Sequence, residues 1–505
     1  MSGPAPLLVV GDALLDHDLS GRAERLAPDA PVPVVSGARR TTRPGGAALA
    51  ACLAADDGRP VTLVTALGDD PASTSLRRLL AGRVDLVPLP LTGALSSKTR
   101  VLAGGRSLLR LDDGDGRARR ATDEARRAIA QAHAVLVADY GRGTADVLRD
   151  ALADAVRRVP VVWDPHPRGQ QPLPDVRLVT PSATEARGFA GALGIEEPKD
   201  GGALHTAARD AGALVGAWRE AAVAVTLGGS GALLSHGETP LLVPSPVSAD
   251  GDACGAGDRF AATAAGLLAD GELTETAVRG AVHAATRYVA EGGVGSLAMI
   301  TRDSADATDA TDAAEAAYAG DTTAHATTPQ GPPATPERTS TDDALRTAAR
   351  VRAAGGTVVA AGGCFDLLHA GHVALLQAAR GTGDCLVVCV NSDASVRRRK
   401  GDGRPLVPLA DRIRVLRALE CVDAVAVFDE DTPERLLGEL RPHIWAKGGD
   451  YARVELPEAE LVASWGGQVV LLPYLDGRST TGLAERAALA PRAVAASPAA
   501  PDGRR

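Results

Sequence analysis

The sequence has no apolar run long enough to span a bilayer, since none of its hydrophobic stretches approaches about 18 residues. Its first residues, MSGPAPLLVVGDALLD, carry no cationic region and reach a Gly-Asp after a short apolar stretch, which is not the pattern of a signal peptide. Aromatic residues make up only 3% of the chain, so its cores must be built from Ala, Val and Leu. These absences predict a cytoplasmic globular protein that does not bind membranes.

The chain also lacks the cysteine patterns of disulfide-rich and zinc-binding proteins. Its six cysteines form no CxxC pair, and no Cys/His group has the spacing of zinc ligands. A chain of 505 residues needs no disulfides to hold a core, so reduced thiols are expected. The net charge of −9 gives no basic excess of the kind that nucleic-acid binding requires.

Lysine and asparagine are scarce. Only four of the 54 basic residues are lysines, and asparagine occurs once, at Asn391. Arginine has replaced lysine wherever either would serve, but the two differ where a compact, flexible point charge is required. The four lysines, Lys98, Lys199, Lys400 and Lys447, are therefore candidates for chemistry.

Composition divides the chain into two globular units. A length of 505 residues corresponds to about three domains, or two if one is large. Residues 304–342 are rich in Ala, Thr, Asp and Pro and have almost no large apolar side chains, which predicts a flexible linker. A short helix in its Ala-rich part is the alternative. Residues 491–505 are predicted to be a disordered tail, which leaves units at 1–303 and 343–490.

Both units alternate short β-branched runs with longer Ala/Leu/Arg stretches of helical length. Examples of the β-branched runs are LLVVGD, AVLVADYG and CLVVCVNSD. This alternation predicts an α/β protein in which helices cover both faces of a parallel sheet. Ligands of such sheets bind beyond the carboxyl ends of the strands, where these runs end in Gly, Asp or Asn.

The strongest local pattern in the first unit is DACGAGD, residues 252–258, followed at once by the helical run AATAAGLLA. Small residues at a helix start let the amides of Gly255, Ala256 and Gly257 converge on an anion, and the helix dipole adds to the attraction. The carboxylate of Asp258 could accept a proton from a hydroxyl that attacks a phosphoryl group. Taken alone, the pattern is equally typical of a capped helix start.

Neighbouring motifs favour the phosphoryl-transfer interpretation. Gly11-Asp12, RPGGAA (43–48), ADYG (138–141), TPSATE (180–185) and VTLGGSG (225–231) follow one another along residues 7–300. In this order they resemble the ribokinase-like (PfkB) sugar kinases, which implies a three-layer domain with a small β lid. The resemblance assigns Asp258 as general base and Glu185 to Mg²⁺ through water. It assigns sugar binding to Asp12, Asp16, Gly45, Gly46 and Asp139, and nucleotide or phosphate binding to Ser182, Ala183, Thr184, Glu185, Thr226, Gly228, Gly231, Gly255, Ala256 and Gly257.

Further expectations concern the lid and two departures from the kinase pattern. Lys98 and Arg110 lie in a predicted lid ribbon and are expected to contact a phosphate on the sugar. Leu49 and Ser182 stand where such kinases usually carry Asn, and a leucine cannot hydrogen-bond to a sugar. A sugar-phosphate-binding module without catalysis therefore stays open. The resemblance also suggests a homodimer through the lid and a monovalent cation near Asp252.

The second unit carries an HxGH pattern directly after a predicted strand. Its sequence, residues 363–372, is GCFDLLHAGH. Because His369 and His372 are three residues apart at a helix start, they lie on one face, where backbone amides already favour phosphate. A zinc site is disfavoured, because no third ligand follows in the HExxH manner.

Other motifs of the second unit complete a resemblance to the cytidylyltransferase-like nucleotidyltransferases, which have a Rossmann-like fold. These are VNSD (390–393), a basic loop at 397–401, KGGD (447–450) and RSTT (478–481), whose hydroxyls could cap a helix or bind phosphate. In that family a substrate phosphate attacks the α-phosphorus of a nucleoside triphosphate, with Mg²⁺ assisting, and pyrophosphate leaves. The resemblance implies that His369, His372, Lys400 and Lys447 neutralise charge, and that Gly363, Cys364, Phe365, Asp366, Asn391, Asp393, Ser479 and Thr480 bind the nucleotide.

The order of the two units is similar to that of the bifunctional heptose kinase/nucleotidyltransferases. That resemblance implies ATP-dependent phosphorylation of heptose 7-phosphate at O1, followed by transfer of AMP from ATP to heptose 1-phosphate. The products would be ADP-heptose and pyrophosphate. Another sugar phosphate as substrate, or CTP in the second step, remains open from the residues alone.

Overall fold

The structure is a computed structural model that describes residues 3–104, 106–196, 202–219, 221–247, 251–296, 301–302, 340–448 and 457–473. The chain divides into two compact units, Met1–Glu337 and Arg338–Arg505. No helix within the described ranges has the length and apolar character needed to cross a membrane.

The first unit contains fifteen of the described strands and nine α-helices. The strands are β1 (Leu7–Gly11), β2 (Ala13–Leu26), β3 (Pro33–Gly46), β4 (Val61–Leu67), β5 (Asp85–Thr92), β6 (Ser97–Ala103), β7 (Arg106–Asp113), β8 (Arg117–Ala118), β9 (Val135–Ala138), β10 (Val161–Asp164), β11 (Leu178–Val179), β12 (Ala222–Thr226), β13 (Ala232–Ser235), β14 (Leu241–Val243) and β15 (Thr301–Arg302). The helices are α1 (Ala47–Asp56), α2 (Pro71–Leu80), α3 (Asp123–Gln131), α4 (Thr144–Val147), α5 (Arg149–Val156), α6 (Ala183–Ala192), α7 (Ala203–Ala217), α8 (Ala256–Ala269) and α9 (Thr274–Ala290).

The main sheet of this unit has the order β14-β13-β12-β11-β10-β9-β1-β4-β5-β8. Its strands from β12 through β5 are parallel, whereas β13, β14 and β8 run antiparallel to their neighbours. Because the parallel strands end at one edge, Asp12, Asp139 and Asp164 come together there. Arg259 joins α8 to the C-terminal end of α1, since its guanidinium donates to Leu53 O at 3.1 Å and pairs with Asp57 at 2.8 Å.

A second sheet forms the lid, in the order β15-β3-β2-β6-β7. The long strands β2 and β3 pair antiparallel, so that Asp16 lies opposite Arg43, and β6 pairs parallel with β2, so that Lys98 lies on the other side of Asp16. Every residue of β7 is exposed. The predicted ribokinase-like domain with a small β lid is confirmed.

The second unit is a five-stranded parallel sheet in the order β18-β17-β16-β19-β20. Its strands are β16 (Val358–Gly363), β17 (Cys385–Asn391), β18 (Ala424–Phe428), β19 (Ile444–Gly448) and β20 (Gln468–Leu472). Its helices are α10 (Ser340–Ala353), α11 (Ala370–Arg380), α12 (Asp393–Lys400), α13 (Leu409–Arg417), α14 (Glu434–Leu440) and α15 (Ala459–Ala463). The predicted Rossmann-like nucleotidyltransferase domain is confirmed.

Helix α10 begins inside the segment predicted to be linker, because residues 340–342 form its first turn. Asp342 and Asp343 in that turn complement the helix dipole, and Ala344 and Ala348 pack into the core of the second unit. The sequence prediction overlooked this helix start. Residues 304–339 of the predicted linker and the predicted tail at 491–505 lie outside the described residues.

Candidate functional site

The anion-binding turn of the first unit is built at the start of α8. Gly255 is the N-cap and adopts a left-handed conformation with φ 81°. A Cβ at this position would lie 2.7 Å from the Tyr288 hydroxyl oxygen and 2.8 Å from Leu49 Cδ2, so only glycine fits without a shift of the surrounding side chains. The Tyr288 hydroxyl donates to Cys254 O at 3.0 Å, which fixes the turn from behind.

Asp258 lies in the first turn of α8 with its carboxylate buried. The hydroxyl of Tyr140 donates to Asp258 Oδ1 at 2.8 Å. Burial raises the pKa of Asp258 to about 7, although the bond from Tyr140 and the positive charges of Lys98 and Arg43 oppose that rise. A carboxylate that titrates near neutral pH suits a general base.

The lid sheet supplies charged groups next to this carboxylate. Lys98 Nζ lies 5.5 Å from the centroid of the Tyr140 ring. Asp16 is buried and pairs with Arg43 at 3.1 Å, and Arg43 also reaches Asp18 at 3.4 Å. Asp16 Oδ1 accepts no hydrogen bond from any described residue. A buried acceptor of this kind is available to a ligand hydroxyl.

Asp12 and Asp139 lie at the same edge of the sheet but differ in how many hydrogen bonds their carboxylates accept. Asp12 Oδ2 accepts the backbone amides of Tyr140 at 3.1 Å and Arg142 at 2.7 Å, and Oδ1 accepts that of Thr144 at 3.0 Å. With about four acceptor positions per carboxylate, Asp12 therefore acts mainly as the anchor of this loop. Asp139 Oδ2 has no hydrogen-bond partner within the described ranges, and burial raises the pKa of Asp139 to about 7.

The glycine pair predicted to approach the sugar lies directly against these groups. Gly46 has φ 57°, and a Cβ there would lie 2.6 Å from Asp12 O. A Cβ at Gly45 would lie 2.7 Å from Asp16 Oδ2. The pair is therefore required for close packing of the lid strand against the Asp12 backbone and the Asp16 carboxylate, independently of any sugar contact.

Other residues predicted to bind the nucleotide lie at the start of α6 and at the end of β12. Ser182 caps α6, and Glu185 Oε2 accepts its backbone amide at 2.9 Å and its hydroxyl at 2.8 Å. Ala183 and Thr184 form the first turn of α6. Ser182 pairs with Thr226 at the end of β12, where a 3₁₀ turn at Gly228–Ser230 leads to Gly231.

Leu49, where the related kinases usually carry Asn, is a core residue here. It is 1% exposed, and its Cδ2 packs against the Gly255 turn. The side chain is therefore placed behind the anion-binding turn, where an amide would lie in an apolar environment.

We expect Leu49→Asn to destabilise the first unit by about 2–4 kcal/mol, because it removes a buried apolar side chain and buries an unpaired amide. Differential scanning calorimetry of the full chain would measure the loss as a lower transition temperature. Leu49→Met keeps the volume and serves as the control, with an expected cost below about 1.5 kcal/mol. An Asn variant as stable as the Met variant would show that the amide finds a partner.

Two predicted residues lie apart from the others. Arg110 is exposed on β7 and forms an ion pair with Asp112 at 2.8 Å. It lies on the strand that pairs with β6, the strand of Lys98, and its expected contact with a phosphate of the sugar stays a prediction. Asp252 is exposed, and its Oδ1 accepts the amide of Cys254 at 2.9 Å in a local turn.

Three residues of this site were not selected from the sequence. Tyr140 and Arg43 stand inside the ADYG and RPGGAA motifs, in which only the carboxylate and the glycines were predicted to bind the sugar. Asp164 ends β10 and accepts from the Thr180 hydroxyl at 2.9 Å, and burial raises its pKa well above the ordinary range. Position in the sequence could have identified these residues, since each lies at a strand end or in a lid strand beside a residue predicted to be functional.

In the second unit the HxGH histidines lie together, as their spacing predicts. His369 caps α11, and its Nδ1 accepts the amide of Gly371 at 3.1 Å. The rings of His369 and His372 stack with centroids 3.9 Å apart. Burial, together with the neighbouring charges of His369 and Lys400, lowers the pKa of His372 to about 4. Phe365, in a left-handed conformation with φ 49°, packs against His372 at 5.3 Å.

Several residues predicted to bind the nucleotide also make internal contacts, or braces, that hold loops of the second unit together. Asp366 pairs with Arg404 at 2.7 Å and accepts the amides of Leu406 and Val407 at 2.6 and 2.9 Å. Burial alone would raise the pKa of Asp366, but these bonds outweigh it and lower the value. The carboxylate therefore fastens the segment after α12 to the HxGH loop.

The fully buried Arg412 is a second brace, which the sequence analysis missed. Its guanidinium donates to Cys364 O at 2.6 Å and Val407 O at 3.1 Å and pairs with Asp393 at 2.7 Å. Asp393 thus has an internal cation as a partner, and its contact with the nucleotide stays a prediction.

The third brace is Asn391, which is 2% exposed. Its Nδ2 donates to Ser395 Oγ at 2.9 Å, and the Cys364 thiol lies 3.7 Å from its Oδ1. Gly363 lies directly beneath Phe365, because a Cβ on it would be 3.0 Å from Phe365 Cε2.

The basic segment at 397–401, which was predicted to be a loop, is the last turn of α12, with Gly401 as its C-cap. Ser392 caps the start of this helix, and cations at its end are favoured by the dipole. Arg398 pairs with Asp431 at 2.9 Å, while Lys400 is exposed.

Lys447 pairs with the buried Glu458 at 2.8 Å. Its charge is therefore partly neutralised where β19 ends. Ser479 and Thr480 lie outside the described residues, as do the last two residues of KGGD.

Comparisons with known proteins agree with this arrangement of two sites. Residues 5–301 match the model of the pfkB family carbohydrate kinases, and residues 360–465 match the cytidylyltransferase-like family. The bifunctional protein HldE of Streptomyces coelicolor is 62% identical over 495 residues, which cover 97% of this chain and 99% of that protein. HldE of Azorhizobium caulinodans is 38% identical, covering 96% of this chain and 98% of that protein, and HldE of an Escherichia coli strain is 34% identical, covering 95% and 96%. With both folds and both sites on one polypeptide, the chain belongs to the HldE family of bifunctional enzymes, a sugar kinase joined to a nucleotidyltransferase.

Proposed function

We propose that the first unit phosphorylates heptose 7-phosphate at O1 with ATP, and that the second transfers AMP from ATP to the resulting heptose 1-phosphate. The products of the second step are ADP-heptose and pyrophosphate. The observation that carries this proposal is the buried carboxylate of Asp258 at the head of α8, directly beside the Gly255 turn. A module that only binds a sugar phosphate has no need of such a base.

In the kinase step, Asp258 accepts the proton of the O1 hydroxyl as that oxygen attacks the γ-phosphorus of ATP. The amides of the Gly255 turn and the dipole of α8 stabilise the transferring phosphoryl group. The unpaired oxygens of Asp16 and Asp139 accept sugar hydroxyls, and Lys98 provides the point charge for the phosphate of the substrate.

Glu185 is the residue that would hold Mg²⁺, through water, in the kinase site. Its Oε2 is used in the helix cap, which leaves Oε1 for a water ligand. The described residues contain no cluster of three metal-ligating side chains. Mg²⁺ is usually bound by one or two carboxylates together with substrate phosphates, which Glu185 and ATP would supply. When bound, the ion neutralises charge on the β- and γ-phosphates.

In the nucleotidyl transfer, the attacking phosphate is already an anion, so no strong base is required. Catalysis depends on positioning and on neutralising charge at the α- and β-phosphates. His369 and His372 at the start of α11, together with Lys400 and Lys447, are the groups that supply it. The braces at Asp366 and Arg412 hold the HxGH loop and the segment after α12 in one arrangement.

A substrate panel on the full-length protein tests the proposal. With heptose 7-phosphate and ATP, mass spectrometry should detect ADP-heptose, and pyrophosphate should appear only after the 1-phosphate has formed. Replacing ATP by CTP in the second step, supplied with heptose 1-phosphate, should give little pyrophosphate. Tight sugar binding without ADP release would instead support a binding module in the first unit.

We further propose that the protein works in the cytoplasm, where ATP is available, and forms a homodimer through the lid. Leu109 and Leu111 on β7 are 53% and 52% exposed, which supports a partner on this strand. A monovalent cation near Asp252 is a third expectation, to be tested by comparing kinase rates in potassium and tetramethylammonium salts.

The pH dependence of the kinase step follows from Asp258. Because burial raises its pKa to about 7, the carboxylate is ionised, and able to accept a proton, only above that pH. We expect kcat/KM for phosphorylation to fall about tenfold per unit as the pH drops below 7. A coupled ADP assay between pH 5.5 and 9 measures this, and a profile flat down to pH 5.5 would contradict it.

A further inference from the structure

Tyr140 connects the lid to the catalytic helix through a single side chain. Its hydroxyl donates to Asp258 Oδ1 at 2.8 Å, and Lys98 Nζ lies 5.5 Å from its ring centroid. No other hydrogen bond to the Asp258 carboxylate is found within the described ranges. The orientation of this carboxylate therefore depends on Tyr140.

The position of Tyr140 is fixed independently of Asp258. Its backbone amide donates to Asp12 Oδ2 at 3.1 Å, and the amide of Arg142 donates to the same oxygen at 2.7 Å. Gly46 lies against the ring, since a Cβ there would be 3.3 Å from Tyr140 Cε2. A donor anchored by its own loop can set the orientation of the group to which it donates.

We propose that Tyr140 is a positioning residue for Asp258. Its hydroxyl holds the carboxylate in one orientation and favours its ionised form. Because the bond uses Oδ1, Oδ2 stays free to accept the proton of the sugar hydroxyl. This inference rests on the proposed kinase function, in which Asp258 is the base.

The electrostatic surroundings explain why such a donor is needed. The charged and titratable groups around Asp258 are Asp16, Lys98, Arg43, Asp164 and Tyr288. Burial and the nearby carboxylates disfavour the ionised form of Asp258, while Lys98, Arg43 and the Tyr140 hydroxyl favour it. Burial, and the charge of Asp258, raise the pKa of Tyr140 well above its ordinary value, so its hydroxyl remains a donor throughout the neutral range.

The test is Tyr140→Phe in the full-length protein, which removes one hydroxyl and keeps the ring. We expect the acidic limb of the kinase pH profile to move upward by about one unit, because a charge-assisted hydrogen bond is lost. Phosphorylation at pH 6 should then be about tenfold slower than in the unmodified protein, and at pH 9 within about threefold. The nearly normal rate at pH 9 checks that the first unit is folded, and AMP transfer to supplied heptose 1-phosphate in the second unit should be unchanged.

Tyr288→Phe is the matched control. It removes another buried hydroxyl at the same turn, but one that donates to Cys254 O instead of Asp258. Because that hydroxyl holds the Gly255 turn, the Tyr288→Phe rate should fall by the same factor at every pH, while the midpoint of its acidic limb stays that of the unmodified protein. As a second variant, 3,5-difluorotyrosine at position 140 keeps the hydroxyl and makes it a stronger donor, so it should move the limb downward.

A Tyr140→Phe rate that falls equally at every pH, or a difluorotyrosine limb that does not move downward, would overturn the inference. Failure of the proposed function is distinguishable, because it would appear as phosphorylation that survives Asp258→Asn. If Asp258→Asn is inactive and the Tyr140→Phe profile is unmoved, only the role of Tyr140 is wrong.

Discussion

Replacing Asp258 by Asn should reduce the rate of sugar phosphorylation by about 10³-fold. The side chain is buried in the first turn of α8, where Asn keeps the shape but cannot accept a proton from the attacking hydroxyl. The Gly255 turn remains, so binding of the sugar and of ATP should be largely preserved. Release of ADP in the presence of heptose 7-phosphate measures the loss.

The activity of the second unit provides a control within the same protein. The Asp258→Asn protein, supplied with heptose 1-phosphate and ATP, should still release pyrophosphate at the normal rate, because the second unit is a separate compact body. Asp154→Asn, which alters a carboxylate that is 76% exposed on α5, should leave both steps unchanged. Phosphorylation by Asp258→Asn within about tenfold of the unmodified rate would place the base elsewhere.

The sequence patterns mark both candidate sites, but they do not show which residues contact one another within each site. Strand-end carboxylates, the Gly255 turn and the paired histidines are local features that depend on spacing along one strand and one helix, and spacing is visible in sequence. Tyr140 contacts Asp258, 118 residues away in the chain, and Arg412 contacts Cys364, 48 residues away. No local pattern marks such a contact.

The same limit applies to the internal partners of residues predicted to bind the nucleotide. Asp366, Asn391 and Asp393 stand in motifs where a ligand-binding role is expected, but their partners are segments that the fold brings beside them. Whether a polar residue at a strand end meets a ligand or a neighbouring loop depends on tertiary packing. At position 49 the resemblance to the sugar kinases implies an Asn that hydrogen-bonds to the sugar, but the Leu49 side chain is buried in the core.

The largest effect in the second unit is expected from His372→Ala, which should slow AMP transfer by about 10²–10³-fold, the cost of losing one transition-state donor. Burial, His369 and Lys400 lower the pKa of His372 to about 4, so the ring is neutral at pH 7 and donates one N–H. Alanine removes that donor and leaves the helix cap intact, because the cap is provided by His369.

The readout of His372→Ala is an intermediate that accumulates. With heptose 7-phosphate and ATP, the variant should complete the first step at the normal rate and build up heptose 1-phosphate, which mass spectrometry separates from the nucleotide sugar. His369→Ala should add a loss of stability of about 1 kcal/mol to its catalytic defect, since it also removes the cap of α11. If His372→Ala converts the 1-phosphate as fast as the unmodified protein, the stacked histidines are structural, and the charge on the departing pyrophosphate must be neutralised by Lys400 and Lys447 alone.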